Sequence, residues 1–293
     1  MQIEVQIVNA FIDGTSGGNP AGVVLDADRL SPAQKLELAR QVGLSETAFV
    51  SASELASIKL EFFTPTRQIA HCGHATVATF ALLRQLGRVG AGRLSKETID
   101  GVRDILVEGE MAFMEQRAPQ YAPVEVDSDL GHRVAASLGL APSCLISGVG
   151  PHVVNTGNAF LLVALPDEQF VAALKPDHDR VESISEELDL IGYYVFSTTT
   201  RIAGRHAGAR MFAPRFGIAE EAGTGMAAGP LACFLHDHLG VQATEILIEQ
   251  GWLMQPPSPS VIKVVLELEG DRIARLMAGG TARVMSSMQV EVT

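Results

Sequence analysis

The sequence predicts an α+β fold of two pseudo-symmetric lobes, each a barrel-like sheet wrapped around one central apolar helix. Three observations predict it. A motif occurs twice, about half a chain apart. Two apolar helices each stop at a glycine. β-Branched or alternating runs fill much of the rest. With 293 residues, 47% of them apolar, the chain has material for two cores.

In chain order, Ile3–Phe11 and Ala21–Leu25 read as strands. Ser31-Pro32-Ala33-Gln34 is a capping box with proline at the first helical position, and its helix runs through LARQVGL to Gly43. Strands follow at Thr47–Ala52 and Ile58–Phe63. Then comes the first copy of the motif: Phe63-Thr64-Pro65, Ile69-Ala70, the turn Cys72-Gly73-His74-Ala75-Thr76, and an apolar helix over His74–Leu86 that stops at Gly87. The second half opens with Asp127-Ser128-Asp129 as cap candidates and a helix through VAASLGL to Gly139, an echo of the first. Val153–Val154 and Phe160–Leu165 read as strands. The second motif copy is Phe212-Ala213-Pro214, Ile218-Ala219, the turn Gly223-Thr224-Gly225-Met226, and a helix over Met226–Leu239 closed by Gly240. Val261–Leu268 and Ala282–Val292 complete the strands. Both motif helices are apolar nearly all round, so other structure must enclose them. Pro119 and Pro123 interrupt the pattern and put a boundary near Gln120–Val126. The expected lobes are 1–122 and 123–280, with a terminal strand at about 281–293 returning to the first.

Charge narrows the partners. At a formal net charge of −12 the surface repels phosphate backbones and anionic lipid, which argues against nucleic-acid and membrane partners. Cys72, Cys144 and Cys233 form neither a disulfide framework nor a zinc ribbon. Met1-Gln2-Ile3-Glu4 does not open a signal peptide, and no run reaches the roughly 20 apolar residues of a membrane span. The cytoplasm is the expected compartment. No GxGxxG and no P-loop pattern is present, and no cofactor or metal is expected. His236-Asp237-His238 does not share a helix face and reads as a polar helix end.

The candidate chemistry lies at the two turns. A helix N-terminus presents unpaired N–H groups and partial positive charge, so each turn can hold a carboxylate or a phosphate; the alternative is tight packing that needs glycine. Facing lobes would aim both turns at one cleft. Glu46 stands at the mouth of an apolar strand. Desolvation there would let it give and take a proton, and the alternative is a solvent-facing strand start. His74, in the first turn of an enclosed helix, reads as a proton carrier or as a capped core histidine. Cys72 reads as a thiolate favoured by the helix dipole or as an inert thiol. Asn19, and the similar turn Asn155-Thr156-Gly157-Asn158, reach the cleft or simply make turns.

Gly18-Asn19-Pro20-Ala21, Ser45-Glu46-Thr47-Ala48-Phe49, Phe63-Thr64-Pro65 and Cys72-Gly73-His74-Ala75-Thr76 resemble the N-terminal signature of the PhzF-like, phenazine-biosynthesis-type isomerases. Phe212-Ala213-Pro214, Gly217-Ile218 and the run from Glu220 to Pro230 resemble the C-terminal one. The resemblance implies a diaminopimelate-epimerase-like fold, a homodimer, and cofactor-free proton transfer at carbon. Glu46 would be the general acid/base. His74 and Glu221 would line the site as further catalytic residues, orienting the substrate and stabilising developing charge. Asn19, Gly73, Thr224, Gly225 and Met226 would bind a small carboxylate-bearing substrate. Two positions depart from the family pattern: Glu221 stands where the family has aspartate, and Met226 where it has serine. Related epimerases carry a thiol on each turn, whereas here Cys72 is matched by Gly223. The expected activity is an isomerase moving a proton between carbons. The alternatives are a one-thiol epimerase or racemase acting through Cys72, and a non-catalytic small-molecule binder.

Overall fold

Runs of β-branched and aromatic residues cannot bury themselves as lone strands, and here they pair into sheets around two apolar helices. The structure, a computed structural model, describes residues 1–145 and 149–292. Ile146, Ser147, Gly148 and Thr293, which the expected lobes include, lie outside the described residues. Two units divide the chain: Met1–Glu115 with the residues from Gly279 onward, and Gln116–Ala278.

The first unit runs β1 (Gln2–Ala10), β2 (Asn19–Val24), α1 (Pro32–Val42), β3 (Thr47–Ser51), β4 (Ile58–Phe63), β5 (Gln68–Ile69), α2 (Gly73–Gln85), β6 (Gly92–Thr98), β7 (Gly101–Glu108) and β8 (Met111–Arg117). The second runs β9 (Gln120–Pro123), α3 (Asp129–Ser137), β10 (His152–Asn155), β11 (Ala159–Ala164), α4 (Glu168–Ala172), α5 (His178–Glu187), β12 (Gly192–Ser197), β13 (Ala207–Ala213), β14 (Ile218–Glu221), α6 (Gly225–Leu239), β15 (Glu245–Gln250) and β16 (Ser260–Glu269). β17 (Arg272–Glu291) carries the chain back to the first unit.

The repeat is written in the strand pairing. In the first unit β1–β2 is antiparallel, β2–β3 parallel, β3–β4 and β4–β5 antiparallel, β4–β6 parallel and β6–β7 antiparallel. In the second, β10–β11, β11–β12, β12–β13, β13–β14, β13–β15 and β15–β16 follow the same series of orientations. A parallel pair needs a crossover, and α1 and α2 supply those of the first unit, α4 with α5 and then α6 those of the second. β17 pairs with both β1 and β8, which closes an eight-stranded barrel of β1, β2, β3, β4, β6, β7, β8 and β17.

This topology corrects one detail of the sequence reading. The helix equivalent to α1 is the crossover α5, not α3. LARQVGL and VAASLGL look alike because both are amphipathic helix ends stopped by glycine, which is a local signal blind to strand order. The caps themselves form as expected: Ser31 and Gln34 make the reciprocal capping box, and Ser128 accepts from the Gly131 N–H.

Apolar contacts hold each unit. Val5, Leu38, Phe49, Phe63 and Val290 share one cluster, with Phe49 edge-on to Phe63 at 5.4 Å. Val134, Leu161, Tyr193, Val195 and Phe212 share another. Every residue of α2 from Gly73 to Leu83 is buried, and the helix packs against β1, β2, β3 and β7. α6 is buried over most of its length and packs against β10, β11, β15 and β16.

Candidate active site

A strand start and a helix start together build the reactive part of the first unit. Glu46 immediately precedes β3. Its carbonyl accepts from the Gly22 N–H at 3.1 Å, which fixes the backbone from which its side chain projects. That side chain is 9% exposed. α2 begins one residue after Cys72, whose Sγ accepts from the Ala75 N–H at 3.5 Å and so caps the helix. His74 is the second helical residue and is 4% exposed.

These three groups meet. His74 Nε2 lies 3.3 Å from Glu46 Oε2, within ion-pair range. The approach misses the hydrogen-bond direction, and Oε2 is left buried with no hydrogen-bond partner. Cys72 Sγ is 3.5 Å from His74 Nδ1 and 3.9 Å from Nε2. All three donor atoms lie within 4.8 Å of one another. A carboxylate, an imidazole and a thiol so close can move a proton, and they also make a metal-ligand set.

Lys96 stands behind this turn, and sequence reading passed over it. It sits on β6 at 1% exposure. Its Nζ donates to Thr76 Oγ1 at 2.7 Å, and Thr76 Oγ1 in turn donates to the Cys72 carbonyl at 2.7 Å. The ammonium also lies over the Phe62 ring, 5.0 Å from its centroid. Burial pushes the Lys96 ammonium down to about 7, with the Cys72 thiol opposing the shift and Arg103 adding to it. Lys96 falls in GRLSKET, where one lysine among polar residues gives no sign of pointing inward.

The second unit carries the other turn. Glu221 ends β14, and its Oε2 accepts from the Thr224 hydroxyl. Thr224 precedes α6 without capping it by its side chain. Gln250 organises this turn: its Oε1 accepts from the Thr224 N–H at 3.0 Å and from the Tyr194 hydroxyl at 2.8 Å, and its Nε2 donates to the Glu221 carbonyl at 2.7 Å. Gln116 Nε2 donates to the Gly225 carbonyl at 2.9 Å. Met226 Sδ accepts from Asn158 Nδ2 at 3.5 Å. Both glutamines come from distant strands, so no local motif announced them. Glu220 is spoken for structurally, in a two-pronged pair with Arg210 at 2.8 Å on each prong.

Asn19 opens β2 and is buried. The glycine before it is required. Gly18 has φ +84, and a Cβ there would meet the Ala10 carbonyl oxygen at 2.6 Å. His236-Asp237-His238 stays at the end of α6, where His236 Nδ1 and Asp237 Oδ1 are 2.7 Å apart and Asp237 accepts from the Tyr121 hydroxyl at 2.6 Å. Among the described residues no helix is long and apolar enough to cross a membrane.

Comparison with known proteins agrees with this architecture. The PhzC-PhzF family, described as phenazine biosynthesis-like protein, matches residues 8–287. An uncharacterized isomerase of Escherichia coli (strain K12), YddE, is 31% identical over 81% of this chain and 80% of its own. The trans-2,3-dihydro-3-hydroxyanthranilate isomerase of Pseudomonas chlororaphis is 30% identical over 94% of each chain. The crystal structure of the Bacillus anthracis phenazine biosynthesis protein of the PhzF family superposes with a TM-score of 0.88 at 27% identity, covering 100% of both chains. This chain is therefore an enzyme of the isomerase class and belongs to the PhzC-PhzF family of phenazine biosynthesis-like proteins.

Proposed function

We propose that the protein is a cofactor-independent isomerase that moves a proton between carbons of a small carboxylate-bearing substrate, with Glu46 as general acid/base. The carrying observation is the Glu46 carboxylate: buried, 3.3 Å from His74, with Oε2 lacking a hydrogen-bond partner. A buried acceptor left unsatisfied is costly in a folded protein, and a substrate C–H or hydroxyl would supply what is missing. Glu46 takes the proton from one carbon and returns it to another. His74 balances the charge on the carboxylate as the proton moves. In the first unit Gly73, at the start of α2, and in the second unit Thr224, Gly225 and Met226, at the start of α6, each offer a helix N-terminal dipole suited to a carboxylate. Asn19 in the first unit and Glu221 in the second are further candidate site residues. The substrate of the Pseudomonas relative belongs to this chemical class and is the first compound to try.

A second reading rests on Cys72. Its sulfur, 3.5 Å from His74, is close enough to act as the base of a one-thiol epimerase.

The test is solvent deuterium incorporation at carbon, followed by NMR, for a panel of small carboxylates that includes trans-2,3-dihydro-3-hydroxyanthranilate. Exchange by the wild type that vanishes in Glu46→Gln, with the fold retained, is the expected result. Exchange that survives in Glu46→Gln and vanishes in Cys72→Ser transfers the role to the thiol. Tight binding of a panel member without exchange overturns both and leaves a binding protein.

A further inference from the structure

We propose that Glu46, Cys72 and His74 also form a binding site for one zinc-class divalent cation, which blocks the acid/base when it binds. The inhibitory part rests on the function proposed above; the binding part does not.

The geometry comes first. A tetrahedral zinc ion holds sulfur at about 2.3 Å and nitrogen or oxygen at about 2.0–2.2 Å, so its ligand atoms lie roughly 3.3–3.7 Å apart. Here the imidazole-to-carboxylate edge is 3.3 Å, and the sulfur-to-Nε2 edge is 3.9 Å. The third edge, sulfur to carboxylate, is no longer than 4.8 Å. The sulfur now stands nearer Nδ1, at 3.5 Å, and a turn about the Cys72 Cα–Cβ bond that carries it to the Nε2 side brings the three atoms onto one face of such a tetrahedron. The fourth position stays open, as in catalytic rather than structural zinc sites.

The donor chemistry agrees. A thiolate, an imidazole and a carboxylate suit zinc, whereas calcium or magnesium would want oxygen throughout. Thiolate and carboxylate carry two negative charges between them, so a divalent ion leaves the assembly neutral. Neutrality matters because all three ligands are buried, and an uncompensated charge there is expensive. Glu46 Oε2 adds an independent pointer: it is buried, aimed into the cluster and without a hydrogen-bond donor, and a cation satisfies it. The charge that opposes a cation is Lys96, whose field reaches Cys72. Its Nζ is turned to Thr76 Oγ1, and above neutral pH burial leaves it largely uncharged.

The experiment titrates the metal-free protein at pH 8 with Co²⁺ and follows its absorption, with Zn²⁺ as competitor. One equivalent should produce tetrahedral ligand-field bands and a thiolate-to-cobalt charge-transfer band, and Zn²⁺ should erase both. Cys72→Ser should lose the charge-transfer band. Glu46→Gln and His74→Ala should each weaken binding by more than about tenfold, measured at a temperature where the metal-free variants are still folded. Absence of a charge-transfer band, or a band that persists in Cys72→Ser, overturns the site. The two readings fail separately. A protein that binds Co²⁺ this way yet exchanges protons normally in Glu46→Gln keeps the site and loses the catalytic assignment. One that needs Glu46 for exchange but shows no cobalt spectrum does the reverse.

Discussion

The turns before α2 and α6 occupy equivalent places in the two units, yet they are built for different tasks. The first carries its chemistry in side chains. Cys72 both caps α2 and stands beside His74, and Glu46 comes to the same point from β3. The second carries its chemistry in the backbone. Thr224 turns its hydroxyl to Glu221 instead of capping α6, and Gln250 and Gln116 fix the main chain from behind. On the function proposed above, a duplicated fold yields one turn that moves a proton and one that holds an anion. Symmetry of the backbone does not impose symmetry of function, because a few residues from distant strands decide what each helix start presents.

The sharpest way to break this division is to remove the same charge from each turn. Glu46→Gln should lower kcat by about 10²- to 10⁴-fold with little change in KM, the usual scale for losing a general acid/base. Glu221→Gln should instead raise KM by about tenfold and spare most of kcat. Steady-state kinetics on the substrate found by deuterium exchange decides it. Equal losses of kcat in both variants would mean that the turns share the chemistry.

Lys96 sharpens the comparison from below, since no described lysine plays its part behind the second turn. The ammonium titrates near 7 in the folded protein against 10.5 in the open chain. Between those values the unfolded chain binds more protons, so the stability penalty is full below pH 7 and fades as pH rises towards 10.5. Lys96→Met should therefore stabilise the protein at pH 6, by on the order of a few kcal/mol, and its advantage should shrink steadily by pH 10. Thr76 keeps its bond to the Cys72 carbonyl in that variant, so the turn itself survives. Thermal melts across the pH range read this out. An advantage that does not change with pH would show that Lys96 is not the group titrating.

On the second turn the corresponding probe is Gly229. A Cβ there would lie 2.1 Å from Gln116 Oε1, so Gly229→Ala must push that side chain off the Gly225 carbonyl and off Thr156. Two buried polar groups would lose partners, at about 1–2 kcal/mol each. The expected outcome is a lower melting temperature and a KM raised several-fold, with kcat nearly intact.

What the sequence revealed follows the same division between local and distant. The Phe-x-Pro motifs, the glycine stops and the apolar helices are local signals, and they were enough to read a duplicated chain. The cap at Ser31 was equally plain, because a capping box is written in four consecutive residues. Strands β6 to β8 escaped notice: β6 and β7 face the core at few positions, and runs such as GRLSKET and GVRDILVE alternate weakly. Gln116, Gln250 and Lys96 were invisible for another reason. Each matters through what it touches across the fold, and a polar residue on a strand does not announce which face it takes. The pairing of α1 with α5 likewise depends on strand order, which no helix-end pattern encodes.

The smallest expected effect carries the finest discrimination. Cys72 has two duties, as the N-cap of α2 and as a neighbour of His74. Serine is among the better N-cap residues, so Cys72→Ser should preserve the helix and change stability by no more than about 0.5 kcal/mol. It replaces a thiol with a hydroxyl, which is a far weaker acid and a poorer proton carrier. If Glu46 moves the proton, turnover should fall no more than a few-fold, the residue of a slightly altered His74 environment. If the thiol is the base, turnover should collapse while the melting temperature stays put. Stability and rate thus separate the two duties of one side chain, and the first turn is a carboxylate site only if its thiol proves dispensable.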